Sequence, residues 1–181
     1  MNQVPNESIR LLRDVDANMV PSGDEVKLLA GNLVRVTQAL GGNYTILING
    51  NMVQISAENA DSLGFEVQKI SESDAPKGSH ENQIWDQLKT CYDPEIPVNV
   101  VDLGLIYSCD ISDEESGGSF VDIKMTLTAP GCGMGDMIAS EVKQKVAGVP
   151  GTSDVRVELV WDPPWDRDMI TESARLQLGM L

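Results

Sequence analysis

The stretch Thr126-Leu127-Thr128-Ala129-Pro130-Gly131-Cys132-Gly133-Met134-Gly135-Asp136 is where residue type and spacing in this chain most directly suggest chemistry. An alternating strand pattern runs into a Pro-Gly turn, and a cysteine stands at the predicted start of a helix. The unpaired N–H groups and partial positive charge of a helix N-terminus favour thiolate over thiol. Gly131, Gly133 and Gly135 leave the sulfur little steric cover, so a metal or a partner molecule could approach closely. A free cysteine more often fills a core as a small hydrophobe. The glycine flanks and the strand end favour exposure for Cys132 instead. The other two thiols lie on apolar stripes: Cys109 alternates with Leu105, Tyr107 and Ile111, and Cys91 follows Ile84 and Leu88 at helical spacing. Both are read as core filler. Neither gives Cys132 a chelating neighbour in sequence, so a metal site built on it needs ligands from a second copy or another protein.

Carboxylates form the second candidate group. Asp93-Pro94-Glu95-Ile96-Pro97 sets two acids on a proline-framed loop, and Asp102 follows in Val101-Asp102-Leu103-Gly104. Capping of turns is the usual work of such acids; the alternative is that Asp93, Glu95 and Asp102 gather near the thiol. Trp161-Asp162-Pro163-Pro164-Trp165 places two tryptophans around a stiff corner, as core or lid packing or as a partner anchor. The only histidine, His80, stands far from Cys132 in sequence, which disfavours a Cys–His nucleophile pair. No phosphate-binding GxxxxGK[ST], no GxGxxG after a strand and no HExxH is present.

The elements that must position these residues fall into two segments. Leu33–Leu40, Tyr44–Ile48 and Met52–Ile55 are β-branched runs separated by Gly41-Gly42-Asn43 and Asn49-Gly50, the signature of tight hairpins. A small antiparallel sheet or barrel is expected over residues 1–70, serving as a docking or stabilising module. Residues 71–80 are polar, carry Pro and Gly and lack apolar periodicity, which predicts a linker. Beyond it the pattern predicts a helix over 81–91, strands around 105–111 and 121–127, a helix over about 133–147 that buries Met134, Ile138, Val142 and Val146, a strand over 155–161, and a short helix after Thr171 as N-cap. The order helix, strand, strand, helix, strand, helix describes an α+β domain over residues 81–181.

Composition narrows the partners. Thirteen Lys and Arg stand against 28 Asp and Glu, a formal net charge of −15. The imbalance is concentrated in the second segment, with seven cations against eighteen acids in residues 80–181. Such acidity, with only 4% aromatic residues, argues against nucleic acid and anionic membrane surfaces as partners. No apolar run approaches the roughly 20 residues of a spanning helix, and the first residues show neither a secretory nor a transit pattern. Three cysteines without a CxxC pair predict a reducing compartment, the cytoplasm.

Four motifs in order carry a family resemblance: Asp93-Pro94-Glu95-Ile96-Pro97-Val98, Val101-Asp102-Leu103-Gly104-Leu105-Ile106-Tyr107, Met125-Thr126-Leu127-Thr128-Ala129-Pro130-Gly131-Cys132, and Leu159-Val160-Trp161-Asp162-Pro163-Pro164-Trp165. Together they resemble the metal–sulfur cluster assembly factor family over residues 80–181. The first segment, with Thr37-Gln38-Ala39-Leu40-Gly41-Gly42 and Asp61-Ser62-Leu63-Gly64, and the Cys132-Gly133-Met134-Gly135 sequence are similar to SufT-type members. The resemblance implies a small α/β sandwich related to the cluster-assembly domain of NifU-type scaffolds. It further implies a non-catalytic maturation factor that helps deliver iron–sulfur clusters to client apoproteins together with the assembly machinery. The reactive cysteine of the family falls on Cys132, and its DPE acids fall on Asp93 and Glu95. The CxxC of NifU-type scaffolds is not in this chain, so a transient cluster or iron would be completed by ligands of a partner or a second protomer. The rival expectation is a thiol-dependent enzyme with Cys132 as nucleophile and Asp93, Glu95 or Asp102 handling protons.

Overall fold

A computed structural model describes residues 8–67, 78–115, 117–129 and 133–180, and the chain divides into two units, residues 1–75 and 76–181. In the first unit the strands are β1 (Ser8–Arg10), β2 (Val15–Val20), β3 (Glu25–Leu28), β4 (Leu33–Leu40), β5 (Asn43–Ile48) and β6 (Asn51–Ile55). They form one antiparallel sheet in the order β1-β4-β5-β6-β2-β3. Gly41, Gly42, Asn49 and Gly50 all hold the positive φ that the β4–β5 and β5–β6 hairpins require. Alternation then sends Val34, Val36, Ile46 and Val53 into a core shared with Leu11, Val15 and Ile55. Arg35, between Val34 and Val36, is exposed. A 3-10 turn, Ala57–Leu63, closes the sheet's end, and Phe65 stacks on Tyr44 with ring centroids 5.0 Å apart. The predicted runs at 33–40, 44–48 and 52–55 match β4, β5 and β6; β1, β2 and β3 were not among the predicted strands.

The second unit contains α1 (His80–Leu88), β7 (Ile106–Asp113), β8 (Ser119–Met125), α2 (Gly135–Ala147), β9 (Thr152–Leu159) and α3 (Glu172–Gln177). Ser79 caps α1, its hydroxyl accepting the Asn82 N–H at 3.3 Å. Of the linker expected at 71–80, residues 71–77 lie outside the described residues, and Ser79 and His80 belong to the start of α1. Strand β8 is central, antiparallel to β7 and parallel to β9. A parallel neighbour needs a crossover, and α2 supplies it. Its Ile138, Val142 and Val146 are buried, as are Val121, Ile123 and Met125 of β8. Helix α2 packs on β9, and α1 packs on α2. The unit is α+β, with mixed strand directions in its sheet.

Two departures from the predicted pattern have local causes. Ile106 pairs with Met125 but Ser108 pairs with Lys124, so Tyr107 is an extra residue in β7. The bulge breaks the alternation expected for Leu105, Tyr107, Cys109 and Ile111. Cys109 and Ile111 face Ile123 and Val121 in the register, whereas Tyr107 sends its hydroxyl to the Pro163 carbonyl at 2.7 Å. Helix α1 also ends at Leu88 rather than Cys91, and just beyond it the Thr90 hydroxyl donates to the Gln87 carbonyl at 2.7 Å. Cys91 lies in the turn beyond, still fully buried.

Candidate functional site

The acidic loop is a set of interlocked turns. Asp93 Oδ1 accepts the backbone N–H groups of Glu95 at 2.9 Å and Ile96 at 3.0 Å, the side chain imitating a backbone turn. The carboxylate is 6% exposed; burial pushes its pKa up, and the two N–H donors oppose that shift. Glu95 stands exposed at the tip. The chain returns through a bridge between Tyr92 and Asn99, and the Val100 N–H bonds the Cys91 carbonyl at 2.9 Å. Asn99 then holds Asp102. Its Oδ1 accepts the N–H groups of Val101 and Asp102, and its Nδ2 donates to Asp102 Oδ2 at 2.7 Å. The Asp102 carbonyl in turn receives the Thr171 N–H at 2.9 Å, just ahead of α3. Asp93 and Asp102 are thus both engaged in shaping the loop, and only Glu95 projects freely from it. Among the described residues no three His, Cys, Asp or Glu side chains converge to hold a metal ion.

The neighbouring strand ends are fastened to this loop. The Leu105 N–H reaches the Val100 carbonyl, the Thr126 N–H reaches the Leu105 carbonyl, and the Val160 N–H reaches the Met125 carbonyl. Trp165 Nε1 donates to the Leu103 carbonyl at 2.8 Å. Its expected companion Trp161 lies past the end of β9 and is exposed, so the two tryptophans do not act as a pair. Gly104, at φ +71°, sits beneath the segment 166–170: a Cβ there would come within 2.3 Å of the Met169 carbonyl oxygen. Gly135 opens α2 under a milder constraint, since a Cβ would lie 2.6 Å from Leu127 Cδ1, the tip of a side chain that would have to shift. Glycine at 135 therefore has a packing reason that the motif alone did not reveal. Thr126 was also missed: its buried hydroxyl has no hydrogen-bond partner among the described residues.

Cys132 lies outside the described residues, together with Pro130 and Gly131. The chain on either side of it is packed, Leu127 on the strand side and Met134 on the helix side both being buried. The two described thiols are poorly suited to nucleophilic or ligand chemistry. Burial pushes Cys91 up to about 12. Burial, then Asp110 and Glu81, push Cys109 up to about 11. Both are therefore protonated at neutral pH. Under native conditions iodoacetamide is expected to label Cys132 ahead of the buried Cys91 and the half-buried Cys109, read by mass spectrometry of competing isotopic labels; faster labelling of either of these two would remove Cys132 from its assigned place.

Asp93 offers a way to separate shape from charge. Asp93→Asn keeps an oxygen for the Glu95 and Ile96 N–H groups and removes a charge that burial disfavours. It is expected to hold or raise the melting temperature at neutral pH. Asp93→Ala strands both donors and should cost about 2 kcal/mol. Because the folded pKa is raised, this carboxyl stabilises the fold most below its unfolded pKa, and that contribution is lost as pH rises through the folded value. The gap between wild type and Asp93→Asn should accordingly narrow on acidification, which thermal melts across acidic pH would detect.

A three-stranded mixed sheet with α2 crossing from β8 to β9 and a fastened acidic loop defines a small α+β domain, and Cys132 precedes that helix by three residues in sequence. The family described as iron–sulfur cluster assembly protein matches residues 81–159. An "Fe-S protein maturation auxiliary factor" of Porphyromonas gingivalis is 48% identical over 101 residues, which are 56% of this chain and 92% of that protein. The "Fe-S protein maturation auxiliary factor YitW" of Bacillus subtilis is 38% identical over 97 residues, 54% of this chain and 91% of that protein. A solved domain of unknown function from Bacillus anthracis is 35% identical, covering 57% of this chain and 94% of its own, with a TM-score of 0.48. The chain belongs to the iron–sulfur cluster assembly protein family. With more than nine-tenths of each curated relative taken up by a match of about the second unit's length, neither carries a counterpart to the first unit of comparable size.

Proposed function

We propose that this protein is an iron–sulfur maturation factor that assists cluster delivery to client apoproteins, with Cys132 as its working thiol. The observation that carries the reading is the state of the other two thiols: Cys91 is fully buried and Cys109 half-buried, both with pKa values pushed well above neutrality. Cys132 is the thiol left to meet the cargo, at a segment flanked by glycines. One thiolate cannot hold a cluster, which takes four protein ligands. The remaining ligands come from the client, the assembly machinery or a second protomer, and the cluster is cargo rather than a resident group. Asp93 and Asp102 support this work by fixing the loop, and Glu95 offers a free carboxylate at its tip. No substrate is turned over on the protein, and its place of action is the cytoplasm.

Anaerobic reconstitution of wild type and Cys132→Ala with ferrous iron and sulfide, followed by absorption spectroscopy and gel filtration, tests the reading. The wild type should acquire charge-transfer absorption in a dimeric or partner-bound form, and Cys132→Ala should not. Equal absorption in both proteins would place the cargo elsewhere.

A further inference from the structure

The first unit carries a feature that is independent of the iron–sulfur reading. Leu12 and Leu29, in the connections that follow β1 and β3, and Leu33, at the start of β4, are 69%, 55% and 53% exposed; apolar side chains gathered on one patch, unlike scattered ones, mark interaction sites. Backbone bonds tie the turn that carries Leu29 and Leu33 to Leu11, the residue before Leu12, while the Leu12 N–H itself bonds the Ser62 carbonyl at 2.8 Å. The Leu11 N–H bonds the Asn32 carbonyl at 3.0 Å, the Gly31 N–H bonds the Leu11 carbonyl at 2.7 Å, and the Asn32 N–H closes the turn on the Leu29 carbonyl at 3.1 Å. Leu33 stands opposite Arg10 in the β1–β4 register, and Arg35 stands opposite Ser8. Arg10 NH1 donates to the Gly31 carbonyl at 3.1 Å, which lays the guanidinium against the turn between Leu29 and Leu33.

Charge around this cluster is not random. The described cations of the first unit are Arg10, Arg13, Lys27 and Arg35, and each lies within two residues of one of the three leucines in sequence. Arg13 is taken by Asp61, at 2.6 Å, and Lys27 faces Asp16 across the β2–β3 pair. Arg10 and Arg35 make no ion pair among the described residues. Nearby, the Asp14 carboxylate accepts the Ala30 N–H at 2.9 Å. An apolar centre with two unpaired guanidinium groups at its rim has the anatomy of a protein interface, where arginine and large apolar side chains are enriched.

We propose that Leu12, Leu29 and Leu33, rimmed by Arg10 and Arg35, form a docking surface for a segment of a partner protein that combines carboxylates with apolar side chains. The rim selects the acidic partner. In a symmetric pairing of two copies each patch would meet the same arginine-bearing patch, so the Arg10 and Arg35 guanidinium groups would gain no complementary carboxylate surface. Six cations against ten acids in residues 1–79 also leave too little positive charge for an extended phosphate surface. The Porphyromonas gingivalis and Bacillus subtilis relatives carry no counterpart of comparable size to this unit, so the surface serves a partnership that the shared domain does not supply.

The test uses the full chain and three probes: a fluorescein-labelled synthetic peptide of interspersed leucine and glutamate, the same peptide with lysine in place of glutamate, and vesicles of phosphatidylcholine with phosphatidylserine. The glutamate peptide should bind and the lysine peptide should not, by fluorescence anisotropy at low salt. Arg10→Glu with Arg35→Glu, and separately Leu29→Ser with Leu33→Ser, should each weaken binding by about tenfold or more. All these side chains are exposed, so circular dichroism melts should match the wild type; if the leucine variant misfolds, the arginine variant carries the test. No binding of the glutamate peptide, equal binding of both peptides, or indifference to the variants would overturn the proposal. Stronger retention on the vesicles than on the peptide would assign the surface to a membrane instead.

Discussion

Cys132→Ala is expected to leave the protein folded and abundant while lowering the activity of iron–sulfur enzymes in a deletion strain that carries it as the only copy. Client polypeptide levels should hold, because the loss lies in cluster loading and not in synthesis. The packing on both sides of the residue rests on Leu127, Met134 and Gly135, none of which is altered. Removal of one sulfur between two glycines should change stability by less than about 0.5 kcal/mol, the range of substitutions away from special features. The activity loss should be severalfold and should deepen when iron is scarce, since delivery then has less excess cargo to draw on. The measurement is client activity per unit of client polypeptide, with wild type and variant expressed equally. Full rescue by the alanine variant would leave the protein a docking role without thiol chemistry.

Gly104→Ala should produce the largest structural damage of any single-methyl change in the second unit. The residue holds φ at +71°, a region that costs a non-glycine residue about 1–2 kcal/mol. Its new Cβ would lie 2.3 Å from the Met169 carbonyl oxygen and 2.9 Å from the Met169 carbonyl carbon. Backbone cannot rotate away as a side chain could. The segment must lift, and the Thr171 N–H to Asp102 carbonyl and Trp165 Nε1 to Leu103 carbonyl bonds are strained with it. A total loss of about 3 kcal/mol or more is expected, combining the conformational term with overpacking. Gly31→Ala is the internal control: its φ is +84°, yet a Cβ there meets nothing within 4 Å. Thermal unfolding should show the conformational cost alone for Gly31→Ala, about 1–2 kcal/mol, and a clearly larger loss for Gly104→Ala. Equal shifts would mean that the segment over Gly104 yields without cost.

The contrast between these glycines shows where sequence patterns inform and where they stop. Gly41-Gly42 and Asn49-Gly50 announced their hairpins because a turn's φ requirement is local. Helix α2 was equally legible, since Ile138, Val142 and Val146 repeat at helical spacing and bury one stripe. Strands β1, β2 and β3 were not, because Val15-Asp16-Ala17-Asn18-Met19-Val20 mixes strand formers with Asp, Ala and Asn and depends on the distant β6 for one edge. The Tyr107 bulge was invisible for a related reason: alternation predicts a face only while register is unbroken. At the site, residue type and spacing leave Asp93 and Asp102 open as turn-formers or as chemical groups, and their hydrogen bonds place both in turns. The exposed Trp161 and the pinned Trp165 could not be distinguished by spacing, because the difference arises where β9 ends.

The strand order of the first unit also has a consequence for its birth on the ribosome. Strand β2 is finished at Val20, but its second neighbour, β6, begins only at Asn51. The β2–β3 hairpin can close early, and then presents a bare strand edge while β4 and β5 are made. At about 5–20 residues per second that interval lasts a few seconds, ample time for an unpaired edge to meet another nascent chain. The second unit has a comparable interval of its own, because β8 is finished at Met125 and its second neighbour, β9, begins only at Thr152. Codon choice between residues 21 and 50 therefore governs how long the vulnerable edge of the first unit stays open, and slow translation there should lower the soluble yield more than the same slowing placed between the end of β6 and the start of β7.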